Sequence, residues 1–256
     1  HQRWPAEAIW QSVVPQWPGF SIEILPEIDS SNSELMRRAR AGQHEATLLV
    51  AERQTAGRGR MGRVWQSQAG DSLTFSLSLP LSPRNWSGLS LAVGLSLAES
   101  LHPQVGLKWP NDLWRLQQKL GGILIEAASQ GSQSYVVVGV GLNVRKPRAN
   151  DLRTPATGIE SFWEEATAPL VLERIAAPLI RMLLEFKTQG FAPLQQRFSQ
   201  RDAILGQVIG TSDGLQGVCE GVDNDGVLLI ATAQGRVKIN SAEVSVRPVN
   251  AIQGAS

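Results

Sequence analysis

The alternation of hydrophobic and polar positions predicts both strands and helices along the chain. The clearest two-residue period covers Leu73–Leu79, where leucine and phenylalanine face one way and Thr74, Ser76 and Ser78 face the other, which is typical of a strand. Leu89–Leu101 is apolar at helical spacing. The same patterns predict strands at Ser21–Ile28, Thr47–Glu52, Lys119–Ala127 and Tyr135–Val144, and helices at Ser31–Arg40 and Leu170–Gln189. Few segments alternate strictly between strand and helix, so an α+β fold is expected.

Local signals refine three of these elements. Ser31 followed three residues later by Glu34 is a capping box, which would begin the helix predicted at Ser31–Arg40. Pro178 lies inside the long helix and predicts a kink. The prolines in residues 1–20 leave room for at most one short helix there.

The pattern changes after about Ala203. Short β-rich runs follow, separated by glycines, and Asn224-Asp225-Gly226 and Gln234-Gly235 are hairpin turn signals. These features predict a small antiparallel barrel. The expected domains are therefore a larger unit over residues 1–202 and the barrel over residues 203–256.

Composition and charge narrow the class of protein. The 256 residues are 42% hydrophobic, with a net charge of +1, which indicates a globular protein without a strong field toward nucleic acid or membrane. Cys219 alone cannot form a disulfide within the chain. No apolar run reaches the roughly 20 residues of a membrane span, and no signal peptide is visible at the start. A cytoplasmic protein is expected.

The first segment with chemical potential is Gly57-Arg58-Gly59-Arg60-Met61-Gly62-Arg63, which follows Gln54. Glycine lets the backbone approach a ligand closely, and arginine offers a planar fork that matches carboxylate or phosphate. The segment is either an anion clamp, a solvated loop, or an arginine–glycine loop that touches RNA.

The second segment, Lys108-Trp109-Pro110-Asn111-Asp112, places a lysine and a carboxylate at the rim of a strand. It could hold a phosphate and a metal or a ribose, or it could be a plain turn between two strands. In the third segment, Lys119 precedes Gly121 and Gly122, and paired glycines in a strand usually mark a bulge or a close approach. By strand period Lys119 would share a face with Gly121, Ile123 and Ile125, where it could stabilise negative charge or be a surface lysine.

The fourth segment is Val136–Asn143. One face of the predicted strand is valine and leucine, whereas the other carries Gly139, Gly141 and Asn143. A face cleared of side chains suits either a flat ligand that lies on the sheet or the close packing of a helix.

Together these residues resemble the biotin protein ligase family over about residues 22–248. The matching pieces are Asp29-Ser30-Ser31-Asn32, Gln54 with Gly57-Arg58-Gly59-Arg60-Met61-Gly62-Arg63 and Trp65, Lys108-Trp109-Pro110-Asn111-Asp112, Lys119-Leu120-Gly121-Gly122-Ile123-Leu124-Ile125-Glu126, and Gly139-Val140-Gly141-Leu142-Asn143. The family pattern often has threonine where Ser31 stands, and serine keeps the hydroxyl.

The resemblance implies a mixed-sheet catalytic domain with packed helices, followed by an SH3-like barrel. It implies that biotin is activated with ATP and Mg2+ to biotinyl-5′-AMP and is then transferred to one lysine of a biotin carboxyl carrier protein. It implies catalytic roles for Lys119, Arg58 and Arg60. It places biotin against Ser30, Ser31, Gln54, Gly57, Arg58, Lys119, Gly122 and Gly139, the adenylate against Arg60, Arg63, Lys108, Asn111, Asp112 and Asn143, and Mg2+ on Asp112.

Several alternatives stay open at this point. The roughly 20 residues before the first strand are too few for a DNA-binding domain, so a ligase without repressor function is expected. A lipoate ligase shares the general fold, but its Arg-Arg-x-Ser-Gly-Gly-Gly signature is absent. A nucleic-acid-binding protein would need aromatic residues between the basic ones, and only Trp65 is close. An inactive biotin sensor would need a lost Lys119 or a broken arginine loop. The protein could be a monomer or a homodimer.

Overall fold

The computed structural model describes residues 2–130, 133–148, 154–240 and 246–249. The helices are α1 (Ala6–Val13), α2 (Ser31–Arg40), α3 (Leu89–Leu101), α4 (Ala168–Gln189) and α5 (Gln195–Ser199). The strands are β1 (Ser21–Ile28), β2 (Thr47–Gln54), β3 (Ser72–Pro80), β4 (Gly106–Lys108), β5 (Asp112–Arg115), β6 (Gln118–Gln130), β7 (Gln133–Asn143), β8 (Val208–Thr211), β9 (Gln216–Val222), β10 (Leu228–Thr232), β11 (Gly235–Ile239) and β12 (Val246–Pro248).

The first seven strands form one mixed sheet in the order β1-β2-β3-β7-β6-β5-β4. Only β1 and β2 pair in parallel among these strands, and the remaining neighbours are antiparallel. The helices are not interleaved regularly with the strands. The expected α+β fold is therefore confirmed, and the predicted strand β1 and helices α2 and α3 have the bounds that the sequence pattern gave.

The two faces of the large sheet are covered differently. Leu73, Val138 and Val140 belong to the main core, which α3 and α4 cover. On the opposite face a smaller cluster under α2 contains Leu35, Leu49 and Val137. Because α2 covers only part of its face, a cleft remains beside it.

The start of α2 differs from the prediction. Ser30, not Ser31, is the N-cap, and its side chain accepts the N–H of Ser33 (3.4 Å). Glu34 does not fold back onto the cap, because its carboxylate pairs with Arg37 and Arg38. The predicted capping box is therefore wrong. At the other predicted irregularity, Pro178, α4 continues as a single helix.

The last five strands form an antiparallel sheet in the order β11-β10-β9-β8-β12, which agrees with the predicted SH3-like unit. The turn before β10 packs on the larger unit, where Nε1 of Trp109 donates to the carbonyl of Gly226 (3.1 Å). The boundary between residues 202 and 203 stays a prediction. Among the described residues, no helix combines the length and the apolar character that crossing a bilayer would require.

Candidate active site

A cleft on the α2 face of the large sheet brings the predicted segments together. The space between its walls is about 890 Å³, which includes solvent at its open side. The predicted residues that line it are Ser30, Ser31, Gln54, Arg58, Arg60, Arg63, Lys108, Asn111, Asp112, Lys119, Gly122 and Gly139. Val246 of β12 also lines it, so the small unit reaches the cleft. Gly57 and Asn143 lie outside this lining.

One end of the cleft is built from charges, and we call Arg60, Lys108, Asp112 and Lys119 the charged end. Nζ of Lys119 donates to Oδ1 of Asp112 (2.7 Å), and Nζ of Lys108 lies 3.8 Å from Oδ2 of the same carboxylate. The β4–β5 turn brings Lys108 and Asp112 together, since their Cα atoms are partners in the antiparallel pair. One carboxylate thus holds two ammonium groups side by side.

Lys108 is the more deeply buried of the two lysines. Only 9% of the residue is exposed, and its Nζ lies 5.1 Å from the centre of the Trp114 ring. Loss of hydration lowers the pKa of Lys108 to about 8, although Asp112 opposes that shift. Burial also lowers the pKa of the Arg60 guanidinium. Lys108 therefore faces the cleft with little water around it and Arg60 is half-buried there, so both attract an anion more strongly than they would in open solvent.

A bulge decides which way Lys119 points. The pairing of β5 with β6 runs from Leu113↔Gly121 to Trp114↔Lys119 and so skips Leu120. This extra residue moves Lys119 to the side of Gly122, where a Cβ on that glycine would lie 3.5 Å from Nζ. Ile123 packs in the main core instead. The paired glycines do mark a bulge, but the prediction that Lys119 shares a face with Ile123 is wrong.

The arginine–glycine segment forms a short hairpin over the cleft. Arg58 and Val64 form an antiparallel bridge, and N–H of Trp65 donates to the carbonyl of Gly57 (2.9 Å). At the tip, Nη1 of Arg60 donates to Oδ1 of Asn111 (3.4 Å). The hairpin therefore contacts the second predicted segment directly.

The other end of the cleft is built from neutral hydrogen bonds, and we call Ser31, Asn32, Gln54 and Ser76 the polar end. Oε1 of Gln54 accepts from the N–H (2.7 Å) and the hydroxyl (3.0 Å) of Ser31. The hydroxyls of Ser31 and Ser76 lie 2.7 Å apart, and Ser76 donates to Oδ1 of Asn32 (2.6 Å). Helix α2 and strands β2 and β3 each contribute to this group.

The glycines of β7 make room for side chains of the cleft wall. A Cβ on Gly139 would lie 2.1 Å from Oδ1 of Asn32, and one on Gly141 would lie 2.4 Å from the Trp65 ring. Gly139 thus admits a side chain of α2, which agrees with the helix-packing alternative, and it also lines the cleft. Gly57 admits the backbone of Trp65, since its Cβ would lie 2.4 Å from that carbonyl oxygen.

The side-chain amide of Asn143 makes its hydrogen bonds within the protein. Its Nδ2 donates to the carbonyls of Lys119 (3.3 Å) and Thr157 (3.1 Å) and so braces the strand that carries Lys119.

For some residues of the cleft the sequence predicts no role. Thr74 and Ser76 are two of them, and Glu126, which lies outside the lining, has no predicted role either. Nε1 of Trp65 and Oγ1 of Thr74 are buried without a hydrogen-bond partner within the described part of the chain, and both residues line the cleft. The polar face of the Leu73–Leu79 strand was the available signal for Thr74 and Ser76.

The acidic side chains decide whether the cleft could hold a metal ion. Within the described ranges, no group of three or more His, Cys, Asp or Glu side chains could hold a metal ion. Of the residues that the structure describes, Asp112 is the one acid in the lining of the cleft, and its two oxygens face Lys119 and Lys108. One carboxylate beside two ammonium groups does not fit a resident metal site. A cation would have to come with its own anionic ligand.

Comparisons with known proteins agree with this geometry. Residues 25–143 match the model of the Biotin/lipoate A/B protein ligase family, and residues 207–247 match the Biotin protein ligase C terminal domain. The bifunctional ligase/repressor BirA of Escherichia coli is 33% identical over 91% of this chain and 78% of its own length. The biotin--[acetyl-CoA-carboxylase] ligase of Paracoccus denitrificans is 32% identical over 86% of this chain and 98% of its own length.

The fold comparison gives the same family. The solved structure of the biotin protein ligase from Aquifex aeolicus in complex with biotin and ATP has a TM-score of 0.76 and is 30% identical. The match covers 89% of this chain and 98% of that chain.

Proposed function

The chain belongs to the biotin protein ligases, enzymes that attach biotin to protein, and we propose that its cleft carries out both steps of that reaction. The observation that supports this most is that one cleft is lined both by two cationic groups on one carboxylate and by a buried group of neutral hydrogen bonds. Such a cleft fits a ligand with an anionic group at one end and a compact polar ring at the other. Biotin has this shape, with a carboxylate on a chain and a cyclic urea.

In the first step a carboxylate oxygen of biotin attacks the α-phosphorus of ATP. The bond between the α-phosphorus and its bridging oxygen breaks, pyrophosphate leaves, and biotinyl-5′-AMP remains. Both reactants are anions, so the barrier falls when fixed cations hold them together and take up the growing charge. Lys119 is the cation that we assign to the reacting carboxylate and α-phosphate, because its ammonium group lies beside Gly122 in the wall of the cleft and its side chain is more exposed than that of Lys108.

Other residues then receive roles by position. Ser30, Ser31, Gln54 and Gly139 surround the biotin ring at the polar end, and Arg58 contributes from the rim. Lys108, Asn111 and Asp112 belong to the nucleotide, together with Arg63. Arg60 reaches Asn111 from the hairpin, so it holds the phosphate and helps the hairpin to cover the adenylate.

In the second step the amine of an acceptor lysine attacks the acyl carbon of biotinyl-5′-AMP. The bond to the phosphate oxygen breaks, AMP leaves, and the nitrogen loses a proton as the amide forms. The names of the Paracoccus relative and others point to the biotin carboxyl carrier protein of acetyl-CoA carboxylase as the acceptor. The hairpin would exclude water until that lysine arrives.

We expect magnesium to bind as part of the substrate. The nucleotide is expected as MgATP, in which phosphate oxygens supply most of the ligands of the ion. Asp112 can contribute an oxygen only if one of its lysines turns to the phosphates instead. The direct role of Asp112 toward Mg2+ stays a prediction.

Two further expectations stay predictions as well: a cytoplasmic location and a possible homodimer. The family model covers lipoate ligases too, so the choice of acid needs its own support. Lipoate carries a dithiolane ring without N–H or carbonyl groups, and it would give no hydrogen-bond partner to Oγ1 of Thr74 or Nε1 of Trp65, the buried polar atoms of the cleft that have none among the described residues. The cleft therefore favours biotin.

Pyrophosphate–ATP exchange tests the proposal. Labelled pyrophosphate should enter ATP in the presence of Mg2+ and biotin, and not when biotin is omitted. Exchange with lipoate alone would assign the chain to the other branch of the family. A folded sample that exchanges with neither acid would contradict the proposed activity.

A further inference from the structure

A chain of hydrogen bonds connects the polar end of the cleft to Glu126, which lies outside the cleft lining. Glu126 follows Gly122 and Leu124 on the same side of β6. Its Oε2 accepts from Nδ2 of Asn32 (2.9 Å) and from Nη2 of Arg58 (2.7 Å). One carboxylate thus holds both a residue of the polar end and a residue of the arginine hairpin.

The charge of Glu126 fixes the direction of the first bonds in this chain. An ionised carboxylate can only accept, so the amide of Asn32 must turn its NH2 group toward Glu126. The same nitrogen also donates to the carbonyl of Leu124 at 3.3 Å. The oxygen of this amide then faces Ser76, and the Ser76 hydroxyl must donate to it (2.6 Å).

The direction continues to the wall of the cleft. Ser76 has one hydroxyl hydrogen, which it donates to Asn32, so toward Ser31 it can only accept. The other neighbour of the Ser31 hydroxyl is Oε1 of Gln54, which also accepts the Ser31 N–H. Ser31 therefore gives its hydrogen to an acceptor inside the protein. Toward the cleft its oxygen offers only lone pairs.

From this order we infer, on the basis of the proposed function, that Glu126 is a positioning residue: it keeps Ser76 from donating to Ser31 and so leaves the lone pairs of the Ser31 hydroxyl to the ligand. The ligand that fits must then donate a hydrogen bond at this point. An N–H of a cyclic urea does so, whereas a methylated nitrogen or a thioether does not. Glu126 would thus contribute to the choice of substrate without touching it.

The ion pair with Arg58 is a separate contribution of the same carboxylate. The side chains of Arg58 and Glu126 are 44% and 24% exposed, so water screens their attraction. This pair places the hairpin at the rim, whereas the bond to Asn32 sets the direction of the chain. Variants can separate the two, since Asn32 lies on the chain but has no hydrogen bond to Arg58.

Calorimetry without nucleotide tests the inference with two probes, biotin and biotin methylated on the ureido nitrogen, each isomer measured separately. For Glu126→Ala, biotin should bind about tenfold more weakly, which is the effect of one misdirected hydrogen bond. The isomer whose methyl group blocks the N–H toward Ser31 should bind nearly as it does to the wild type. The discrimination between the two ligands should therefore shrink.

Three further variants sharpen the result. Asn32→Ala removes the acceptor of the Ser76 hydrogen without touching Arg58, so Ser76 can then donate to Ser31. This variant should reduce the discrimination in the same way, and it decides the question even if Glu126→Ala does not fold. Glu126→Gln can still accept at Oε1 and should keep the wild-type ratio. Glu27→Ala removes a comparable ion pair on β1, with Arg53 at 2.8 Å, and should leave the ratio unchanged.

Two outcomes would overturn the inference. The first is a wild-type ratio of the two affinities in both Glu126→Ala and Asn32→Ala, while biotin still binds. The second is an equal loss of affinity for biotin and for every methylated isomer, because a merely structural role predicts that. Failure of the proposed function is distinct, since the wild-type protein itself would then not bind biotin.

Discussion

The two ends of the cleft solve different problems with different materials. At the polar end, Ser31, Asn32 and Ser76 are only 2%, 3% and 0% exposed, and each is held by neutral hydrogen bonds at 2.6–3.0 Å. At the charged end, two lysines share Asp112 at 2.7 and 3.8 Å. The polar end gains selectivity from direction, because every donor needs a matching acceptor. The charged end gains reactivity from the electrostatic field of its cations, which acts over a longer distance than a hydrogen bond and does not require one alignment.

This difference predicts how each end fails. A buried hydrogen-bonded group that loses its partner has a large and local effect on ligand affinity. A cation that loses its position affects the transition state more than the ground state, because the charge it stabilises grows during the reaction. Substitutions at the polar end should therefore change binding of the acid, and substitutions at the charged end should change the rate.

Lys119→Ala should show the largest effect. Removing the cation nearest the reacting carboxylate should slow biotin-dependent pyrophosphate–ATP exchange by about 10²–10³-fold, while the affinity for biotin changes by about threefold or less. Exchange rates and calorimetry measure the two quantities. Lys187→Ala, on the exposed side of α4, is the matched control and should exchange normally. Normal turnover in Lys119→Ala would contradict the role of this lysine.

Arg60→Ala should uncouple the two steps. Without the contact from the hairpin to Asn111, biotinyl-5′-AMP should be released and hydrolysed about tenfold faster or more, because water reaches the mixed anhydride. A chase experiment with preformed, labelled adenylate measures its retention. Retention equal to that of the wild type would argue against the covering role of the hairpin.

Gly139→Ala should damage the polar end through packing. The new methyl group would lie 2.1 Å from Oδ1 of Asn32, so the side chain must leave its place between Ser76 and Glu126. We expect a loss of about 1–3 kcal/mol in the free energy of unfolding, and weaker biotin binding with it. Gly210→Ala is the control, since its nearest neighbour would lie 3.9 Å away. Denaturant titration and calorimetry that fail to separate these two variants would remove Asn32 from the account.

Lys108 should give the smallest effect, visible as a pH dependence. Its pKa is lowered to about 8 by burial, so the amine of the free enzyme loses its charge as the pH rises through that value. The apparent kcat/KM for ATP should then fall a few-fold between about pH 7 and pH 9. Lys108→Arg keeps its charge over this range and should flatten the profile. An unchanged slope in that variant would assign the titration to another group.

Sequence reasoning was most successful where local pattern decides the structure. The period of Leu73–Leu79 identified β3, and the split of Val136–Asn143 identified which face of β7 packs in the core. Most candidate residues also line one cleft, because the motifs lie near strand ends that the sheet brings together. These features depend on neighbours in the chain and on the two-residue period of a strand.

The failures involve structure that no local pattern encodes. The strand period shows that Ser76 faces away from the core, but not that α2 covers it and leaves it 0% exposed. Glu126 meets Asn32 and Arg58 across 94 and 68 residues of sequence. The bulge inserts Leu120 between Lys119 and Gly121, and one inserted residue turns the side chain before it to the opposite face from the one that the strand period predicts. For this reason the strand period predicts the wrong face for Lys119.

The most direct test of the division between the two ends is a measurement on Gln54→Ala. This variant removes the acceptor of the Ser31 N–H and hydroxyl, and it leaves Lys108, Asp112 and Lys119 in place. The dissociation constant for biotin, measured by calorimetry, should rise about tenfold or more, while the KM for ATP at saturating biotin stays within about twofold of the wild type. A parallel rise of both constants would mean that the cleft works as one site, and the division between a selective end and a reactive end would be wrong.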